Sequence, residues 1–262
     1  MNQGVRHILL DIEGTTCPVS FVTNVLFPYA RERLVDYLVR HDQKPDMQQL
    51  LGELQKAWQQ EQHPEARELL LAAPLSAADT TGENTTSSGA AAAVVSGQAL
   101  VPYLHWLIRQ DRKLTAWKDL QGRIWEEGYA RGDLKADLFD DVLPALRRWK
   151  QSGLELSVYS SGSVAAQQLL YGHSLDGDVR DLFSHWFDTR IGIKQEVESY
   201  QRILETLGCM ADEVLFISDA IGELQAAEAA GMQVAFSDRD GNPERDPGRF
   251  PSINRLDQLV LA

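Results

Sequence analysis

Two acidic residues separated by one position, Asp11 and Glu13, follow a short apolar run and precede Gly14. On an extended chain, alternate side chains point to the same side, so both acids can face one ligand. Gly14 allows the backbone to turn sharply and to approach that ligand closely. A plain turn at a strand end, with both acids in water, explains the same residues equally well.

A third acid, Asp219, follows the apolar run 214–217 and Ser218. With Asp11 it forms the kind of oxygen-rich pair that suits Mg²⁺, which prefers few carboxylates, several waters and phosphate oxygens. Glu223 comes four residues later. It either supports this site or only occupies a first helical turn, where the helix dipole favours an acid. We favour the second interpretation.

Hydroxyl groups and a lysine provide candidate contacts for an anion. Ser160 and Ser161 follow the apolar run 154–159 and precede a predicted helix, whose N-terminal N–H groups can hold phosphate. For Ser163 an ordinary N-cap is the better explanation. Lys194 precedes another predicted helix, where the dipole disfavours a positive charge. An anionic partner would explain that position, although a lysine in a polar loop is usually only solvated.

The elements that must position these residues alternate between strands and helices. The apolar runs predict strands at 5–10, 154–159, 214–217 and 233–236, and helical patterns cover 164–171, 196–207 and 223–230. This alternation predicts a parallel sheet with right-handed crossovers. Ligands bind beyond the carboxyl ends of the strands in such sheets, and all three polar clusters lie at predicted strand ends.

The chain between 23 and 132 has a different, helical pattern without a convincing strand. Its apolar periodicity covers 29–39, 47–71, 100–108 and 120–129. A stretch rich in Ala, Ser, Thr and Gly, 74–97, predicts a mobile surface loop. We therefore predict an α/β core, interrupted by a helical cap. The core comprises residues 1–20 and 133–262, and the cap residues 21–132.

Bulk composition excludes several classes of protein. The 262 residues are 44% hydrophobic and carry a formal net charge of -13, which argues against binding nucleic acid or an anionic membrane. The two cysteines, far apart in sequence, fit a reducing compartment. Neither a membrane-spanning apolar run nor a signal peptide is recognisable. We expect a cytoplasmic protein and, because no heptad pattern stands out, a monomer.

The polar motifs occur in one order: DIEGT, a strand followed by Ser, an isolated Lys, and a strand followed by Ser-Asp. This set resembles the haloacid dehalogenase superfamily of phosphotransferases, with Glu13 in place of the usual second Asp. Within it, five segments resemble the acireductone synthases, the bifunctional enolase-phosphatases of methionine salvage. They are DIEGTT at 11–16, PVSFV at 18–22, LQGRIW at 120–125, YSSGSV at 159–164 and GIK at 192–194.

The resemblance implies a Rossmann-like core with a helical cap. It implies one Mg²⁺ ion, bound by the side chains of Asp11 and Asp219 and by the main-chain carbonyl of Glu13. The implied substrate contacts are Ser160, Ser161 and Lys194. The substrate would be 2,3-diketo-5-methylthiopentyl 1-phosphate, a small phosphorylated metabolite, which is enolised and then dephosphorylated to the acireductone.

The chemistry expected of such a site is covalent phosphoryl transfer. Asp11 would attack phosphorus and form an aspartyl phosphate, while Lys194 and the Ser160 segment stabilise charge on the phosphoryl oxygens. Glu13 is a candidate base for the enolisation. A residue of the cap is the alternative base, and the sequence does not decide between them.

Other functions share parts of this pattern. A general sugar-phosphate phosphatase would keep the same core residues and differ in the cap. A dehalogenase would not require Asp219 or magnesium. A signalling receiver also uses acids, a hydroxyl and a lysine around magnesium, but it is about half as long and has no large helical insert. A catalytically inactive, partner-binding homologue would have no need to retain Asp11, Lys194 and Asp219 together.

Overall fold

The computed structural model describes residues 4–73, 95–110, 112 and 114–261. The chain forms two compact units. Unit 1 consists of Met1–Leu26 and Trp125–Ala262, and unit 2 of Phe27–Ile124. The predicted limits of the core and the cap stay a prediction.

Unit 1 contains a six-stranded parallel sheet with the order β3-β2-β1-β4-β5-β6. Its strands are β1 His7–Leu10, β2 Glu155–Tyr159, β3 His185–Phe187, β4 Val214–Ser218, β5 Gln233–Ser237 and β6 Ser252–Ile253. Helices connect the strands, so the predicted α/β class with a Rossmann-like sheet is confirmed. β1 lies between β2 and β4, where the strand order reverses. Ligands of open α/β sheets bind at this kind of switch point.

The helices divide between the two units, and the boundary falls within α6. They are α1 Val19–Phe21, α2 Phe27–His41, α3 Pro45–Gln60, α4 Pro64–Ala72, α5 Gly97–Arg109, α6 Thr115–Arg131, α7 Val142–Gln151, α8 Val164–Gly172, α9 Val197–Leu207 and α10 Ile221–Ala229. A π-helical segment, Val22–Leu26, joins α1 to α2. The described elements of unit 2 are all helical, as the sequence predicts for this region.

Continuous apolar runs explain the central strands of the sheet. All five residues of β4 are buried, and three of the four in β1. A parallel strand covered on both faces needs apolar side chains on both. Leu9 and Phe216 pack with Tyr200 and Ile203 of α9 on one face of the sheet. The four predicted strands are therefore confirmed, with small shifts at their ends.

The sequence prediction missed the two edge strands, β3 and β6, and helix α7. β3 and β6 contain three and two residues, too few to show a recognisable apolar run. The predicted single helix 47–71 is wrong, because it is two helices, α3 and α4. Pro64 begins α4, and the residue before a proline is disfavoured in helical conformation.

Unit 2 has its own buried aromatic core. The rings of Trp58 and Tyr103 stack with centroids 5.1 Å apart, and Tyr103 stacks on Trp106 at 5.7 Å. Trp58 Nε1 donates a hydrogen bond to the carbonyl of Ala66, which ties α3 to α4. Of the predicted loop 74–97, the part 74–94 lies outside the described residues, and its last residue, Gly97, begins α5.

Among the described residues, no helix has both the length and the apolar character needed to cross a membrane. The expected cytoplasmic location and the expected monomeric state stay predictions. Both cysteines, Cys17 and Cys209, are free thiols, as expected.

Candidate functional site

The ends of the three central strands bring the predicted acids together. Leu10, the last residue of β1, pairs with Val158 of β2 and Ile217 of β4. Asp11 therefore leaves β1 at the level where β2 and β4 also end. Asp219 directly follows β4. This register is the structural basis of the candidate site.

Asp11 and Lys194 form a buried ion pair. Lys194 Nζ lies 2.7 Å from Asp11 Oδ1 and 2.7 Å from Glu223 Oε2. Asp11 Oδ1 also accepts a hydrogen bond from the Ile12 main-chain N–H at 2.8 Å. The other oxygen, Oδ2, accepts a hydrogen bond from Ser218 Oγ at 3.3 Å, so contacts at both oxygens fix the orientation of the Asp11 carboxylate.

Glu223 belongs to this site, and the interpretation that we favoured from sequence is wrong. Glu223 does lie in the first turn of α10, where the helix dipole favours an acid. Its carboxylate also contacts Lys194 and accepts a hydrogen bond from Ser218 Oγ at 2.8 Å. We call Asp11, Lys194, Asp219 and Glu223 the acid–lysine cluster.

The acid–lysine cluster has three carboxylates and one ammonium group. Burial, together with the charges of Asp11 and Glu223, raises the pKa of Asp219 to about 7. Burial and the charge of Asp11 likewise raise the pKa of Glu223 to about 7. Burial disfavours the ammonium of Lys194, but Asp11 and Glu223 outweigh that effect and hold its pKa above the ordinary value. The cluster thus has an excess of negative charge that a cation would offset.

Gly14 is required by the turn that follows Asp11. Its φ angle is +71°, which favours glycine, and a Cβ at this position would lie 2.2 Å from Asp219 Oδ2. The sharp turn expected at Gly14 is confirmed, whereas its close approach to a ligand stays a prediction. Glu13, just before it, is partly buried, and its roles as metal ligand and base stay predictions.

Side-chain donors hold three successive carbonyls of the loop that carries Lys194. Tyr159 Oη donates a hydrogen bond to the Gly192 carbonyl at 3.0 Å. Ser199 Oγ donates to the Ile193 carbonyl at 2.7 Å, and Tyr200 Oη to the Lys194 carbonyl at 2.7 Å. The lysine side chain is only 9% exposed, and its Nζ lies 5.6 Å from the centre of the Tyr159 ring. The loop therefore delivers the ammonium group to the cluster from a fixed backbone.

Ser160 and Ser161 lie after β2, the strand beside β1. Ser160 is buried, and its Oγ accepts a hydrogen bond from the Gly162 N–H at 3.1 Å. Ser161 is exposed. Ser163 is the N-cap of α8, with its Oγ accepting from the Ala166 N–H, which confirms its predicted role. Phosphate binding by Ser160 and Ser161 stays a prediction.

The donor groups of the cluster fit a magnesium ion. In the part of the chain that the structure describes, no three His, Cys, Asp or Glu side chains are arranged to hold a metal. Magnesium needs fewer, because it keeps several waters and uses one or two carboxylates with substrate oxygens. Asp11 and Asp219, which interact electrostatically in a buried setting, are a donor pair of this type.

Several residues that support the site were missed by sequence reasoning. Ser218 hydrogen-bonds to Glu223, and the carbonyl of Gly14 accepts hydrogen bonds from Ser237 and Asn242. The position of Ser218 immediately before Asp219 was a usable signal. Ser237 ends β5 and Asn242 follows it. Both act across the fold, so local spacing gives no indication of them.

The chain is similar to known proteins over most of its length. A family model described as haloacid dehalogenase-like hydrolase matches residues 5–231. A protein named Enolase-phosphatase E1 from Synechococcus sp. (strain RCC307) is 49% identical over 251 residues, which cover 96% of this chain and 92% of that protein. The protein of the same name from Prochlorococcus marinus (strain MIT 9313) is 45% identical over 252 residues, with 96% of each chain covered.

Solved structures give the same result for the fold. The crystal structure of UTR4 protein from Saccharomyces cerevisiae matches with a TM-score of 0.73 at 28% identity, covering 97% of this chain and 100% of that chain. CbbY from Rhodobacter sphaeroides in complex with phosphate, at 12% identity and a TM-score of 0.55, shares the fold. The chain belongs to the haloacid dehalogenase-like hydrolase family.

Proposed function

We propose that the protein is a magnesium-dependent enolase-phosphatase of methionine salvage. It converts 2,3-diketo-5-methylthiopentyl 1-phosphate to the acireductone 1,2-dihydroxy-3-keto-5-methylthiopentene and phosphate. The observation that carries the proposal is the buried contact of Asp11 with Lys194 at the ends of the central strands, with Asp219 beside them. The name shared by relatives at 42–49% identity over nearly the whole chain supports the substrate.

Asp11 is the nucleophile of the phosphatase half-reaction. One of its carboxylate oxygens forms a bond to phosphorus while the ester P–O bond breaks, and the leaving oxygen takes up a proton. Lys194, held at 2.7 Å from Asp11, offsets negative charge on the carboxylate and on the phosphoryl oxygens. Water then attacks the aspartyl phosphate, which releases phosphate and restores the carboxylate.

Asp11, Asp219 and the Glu13 carbonyl would hold the magnesium ion. The bound ion supplies positive charge that lets the Asp11 carboxylate approach a phosphate dianion. Ser160 and Ser161, after β2, provide hydroxyl and main-chain groups for the phosphoryl oxygens. These assignments are supported by the common location of all these residues at the carboxyl ends of neighbouring strands.

The enolase half-reaction moves a proton from the carbon next to a ketone to the ketone oxygen. Glu13 is a candidate base, because it lies two residues from the nucleophile on the same turn. A positioned base contributes about 10²–10⁴-fold. Glu13→Gln should therefore slow enolisation by that factor, measured by absorbance of the enol before phosphate release. Phosphate release from a generic aryl phosphate, which needs no enolisation, should stay near the wild-type rate. An equal loss in that assay would contradict an enolisation-specific role.

The direct test of the proposed function uses the diketo phosphate ester with purified protein and Mg²⁺. We expect phosphate and acireductone in equal amounts, and loss of both products when the metal is removed with EDTA. A panel of sugar phosphates serves as the matched comparison. Preferential hydrolysis of a sugar phosphate, without acireductone formation, would contradict the proposal and identify a general phosphatase instead.

A further inference from the structure

The last residue of β5 and an asparagine after this strand hold the turn next to the nucleophile. Ser237 Oγ and Asn242 Nδ2 both donate hydrogen bonds to the carbonyl of Gly14, each at 2.9 Å. Asn242 Nδ2 also donates to the carbonyl of Ser237 at 3.0 Å. Because both partners of the amide nitrogen are carbonyl oxygens, which can only accept, the orientation of the Asn242 amide is determined by chemistry.

The other end of this amide has no such partner. Asn242 is 7% exposed, and its Oδ1 atom is buried without a hydrogen-bond partner in the described part of the chain. A buried acceptor that lacks a donor costs about 1–3 kcal/mol. Native proteins normally satisfy such an atom with an ordered water or a ligand.

The location of this atom indicates which donor is missing. A Cβ on Gly14 would lie 2.7 Å from Asn242 Oδ1 and 2.2 Å from Asp219 Oδ2, so both oxygens flank the same point beside Gly14. Two acceptors placed close together need a donor or a cation between them. Asp219 is one of the two carboxylates assigned above to magnesium.

We propose that Asn242 is a positioning residue for the hydrated metal. Its Oδ1 atom accepts a hydrogen bond from a water molecule bound to the Mg²⁺ ion that Asp219 holds. The inference rests on the magnesium site of the proposed function. Magnesium retains several waters in protein sites, and each metal-bound water has two protons to donate. Partners of this kind outside the coordination sphere typically change metal affinity by about 10–100-fold.

The amide of Asn242 then has two separable tasks. Its nitrogen anchors the Gly14 carbonyl, a task shared with Ser237, and its oxygen orients a metal-bound water. Substitutions can divide the two. Asn242→Ala removes both tasks, Asn242→Asp keeps an acceptor but loses the donors, and Ser237→Ala removes only the second anchor of Gly14.

The experiment is titration of the full-length protein with MgCl₂ alone, without substrate, by isothermal calorimetry. We expect Asn242→Ala to bind Mg²⁺ about 10–100-fold more weakly than the wild type. Asn242→Asp should stay within about threefold of the wild type or bind more tightly, and Ser237→Ala should stay within about threefold. If Asn242→Ala does not fold, Asn242→Leu, which fills the volume without an acceptor, takes its place and should show the same loss of affinity, about 10–100-fold.

Three results would overturn the inference. In the first, Asn242→Ala and Asn242→Leu bind Mg²⁺ within about twofold of the wild-type affinity. In the second, Asn242→Asp binds Mg²⁺ as weakly as Asn242→Ala. In the third, Ser237→Ala loses as much Mg²⁺ affinity as Asn242→Ala. The last two would make the residue an anchor of the turn only. Failure of the wild type itself to bind Mg²⁺ would instead contradict the metal site of the proposed function.

Discussion

Two buried groups of charges contact the turn after β1, and they differ in their balance. In one, Arg239 donates two hydrogen bonds to Asp141, at 2.8 and 2.9 Å, and further ones to the carbonyls of Thr15 and Asn254. The Asp141 carboxylate also accepts from the Leu256 N–H. This group holds one positive and one negative charge, and each has several hydrogen-bond partners.

The other group, the acid–lysine cluster, has three carboxylates around one ammonium. Its acids Asp219 and Glu223 both have a pKa raised to about 7 by burial and by neighbouring acids. A buried charge without a partner is unfavourable for folding, so such an imbalance is expected where a ligand supplies the missing charge. The balanced group is therefore suited to stabilising the fold, and the acid–lysine cluster to binding a cation.

Among the variants that compare the two groups, the largest effect is expected at Lys194, the single cation of the acid–lysine cluster. Lys194→Met leaves Asp11 and Glu223 without their partner and removes positive charge from the phosphoryl site. We expect phosphate release to fall by about 10²–10³-fold or more. Steady-state rates with saturating Mg²⁺ measure this. A loss below tenfold would mean that Lys194 is not part of the reacting site.

The balanced group should affect stability instead. Asp141→Ala leaves Arg239 buried without a counter-charge and should reduce the free energy of unfolding by about 3–5 kcal/mol. Replacing both residues, Asp141→Leu with Arg239→Met, should recover most of that loss, because no buried charge remains. Urea unfolding measures both variants. A single variant that costs less than about 1 kcal/mol would contradict a stabilising role for this pair.

The same pair predicts a pH dependence of stability. Burial alone would raise the pKa of Asp141, but the hydrogen bonds from Arg239 outweigh it and hold this pKa below the ordinary value. The stabilisation is therefore complete above the unfolded carboxyl pKa of about 3.9 and is lost as the pH falls through the lower folded value.

The difference in unfolding free energy between the wild type and the double apolar variant isolates this effect. We expect this difference in unfolding free energy to be constant from pH 7 to about pH 4.5. At lower pH the wild type should lose stability relative to the double variant. If this free-energy difference changed mainly between pH 5 and pH 7, titratable groups other than Asp141 would be responsible for it.

The smallest effect should come from the backbone that delivers the lysine. Tyr200→Phe removes the hydroxyl that donates to the Lys194 carbonyl, which leaves a buried acceptor unsatisfied at a cost of about 1–3 kcal/mol. Phosphate release should fall only about 3–10-fold, since the ammonium remains present but less firmly placed. An unchanged unfolding free energy and an unchanged rate would together exclude this positioning role.

The sequence predicts the parts of the site that depend on single strands. Asp11 and Asp219 were identified because buried parallel strands read as continuous apolar runs, and polar residues at their ends stand out. The partners of these residues come from tertiary contacts. Asn242 reaches Gly14 across 228 residues and Arg239 reaches Asp141 across 98, so no local pattern marks them.

The same reasoning explains the error at Glu223 and the missed edge strands. The helix dipole is a local effect and accounts for an acid at the start of α10, but it cannot reveal that Lys194 folds against this acid. β3 and β6 are too short for a periodic signal, and their pairing with longer neighbours defines them. Local propensity therefore predicts the central sheet, while packing determines its edges and the composition of the cluster.

The proposed function requires the carboxylate of Asp11 to attack phosphorus in the acid–lysine cluster. Phosphate release by Asp11→Asn, measured beside the wild type with the diketo ester and Mg²⁺, tests it most directly. We expect a loss of at least about 10⁴-fold, with a circular dichroism spectrum and cooperative unfolding like those of the wild type. Near-normal turnover by the folded variant would contradict it.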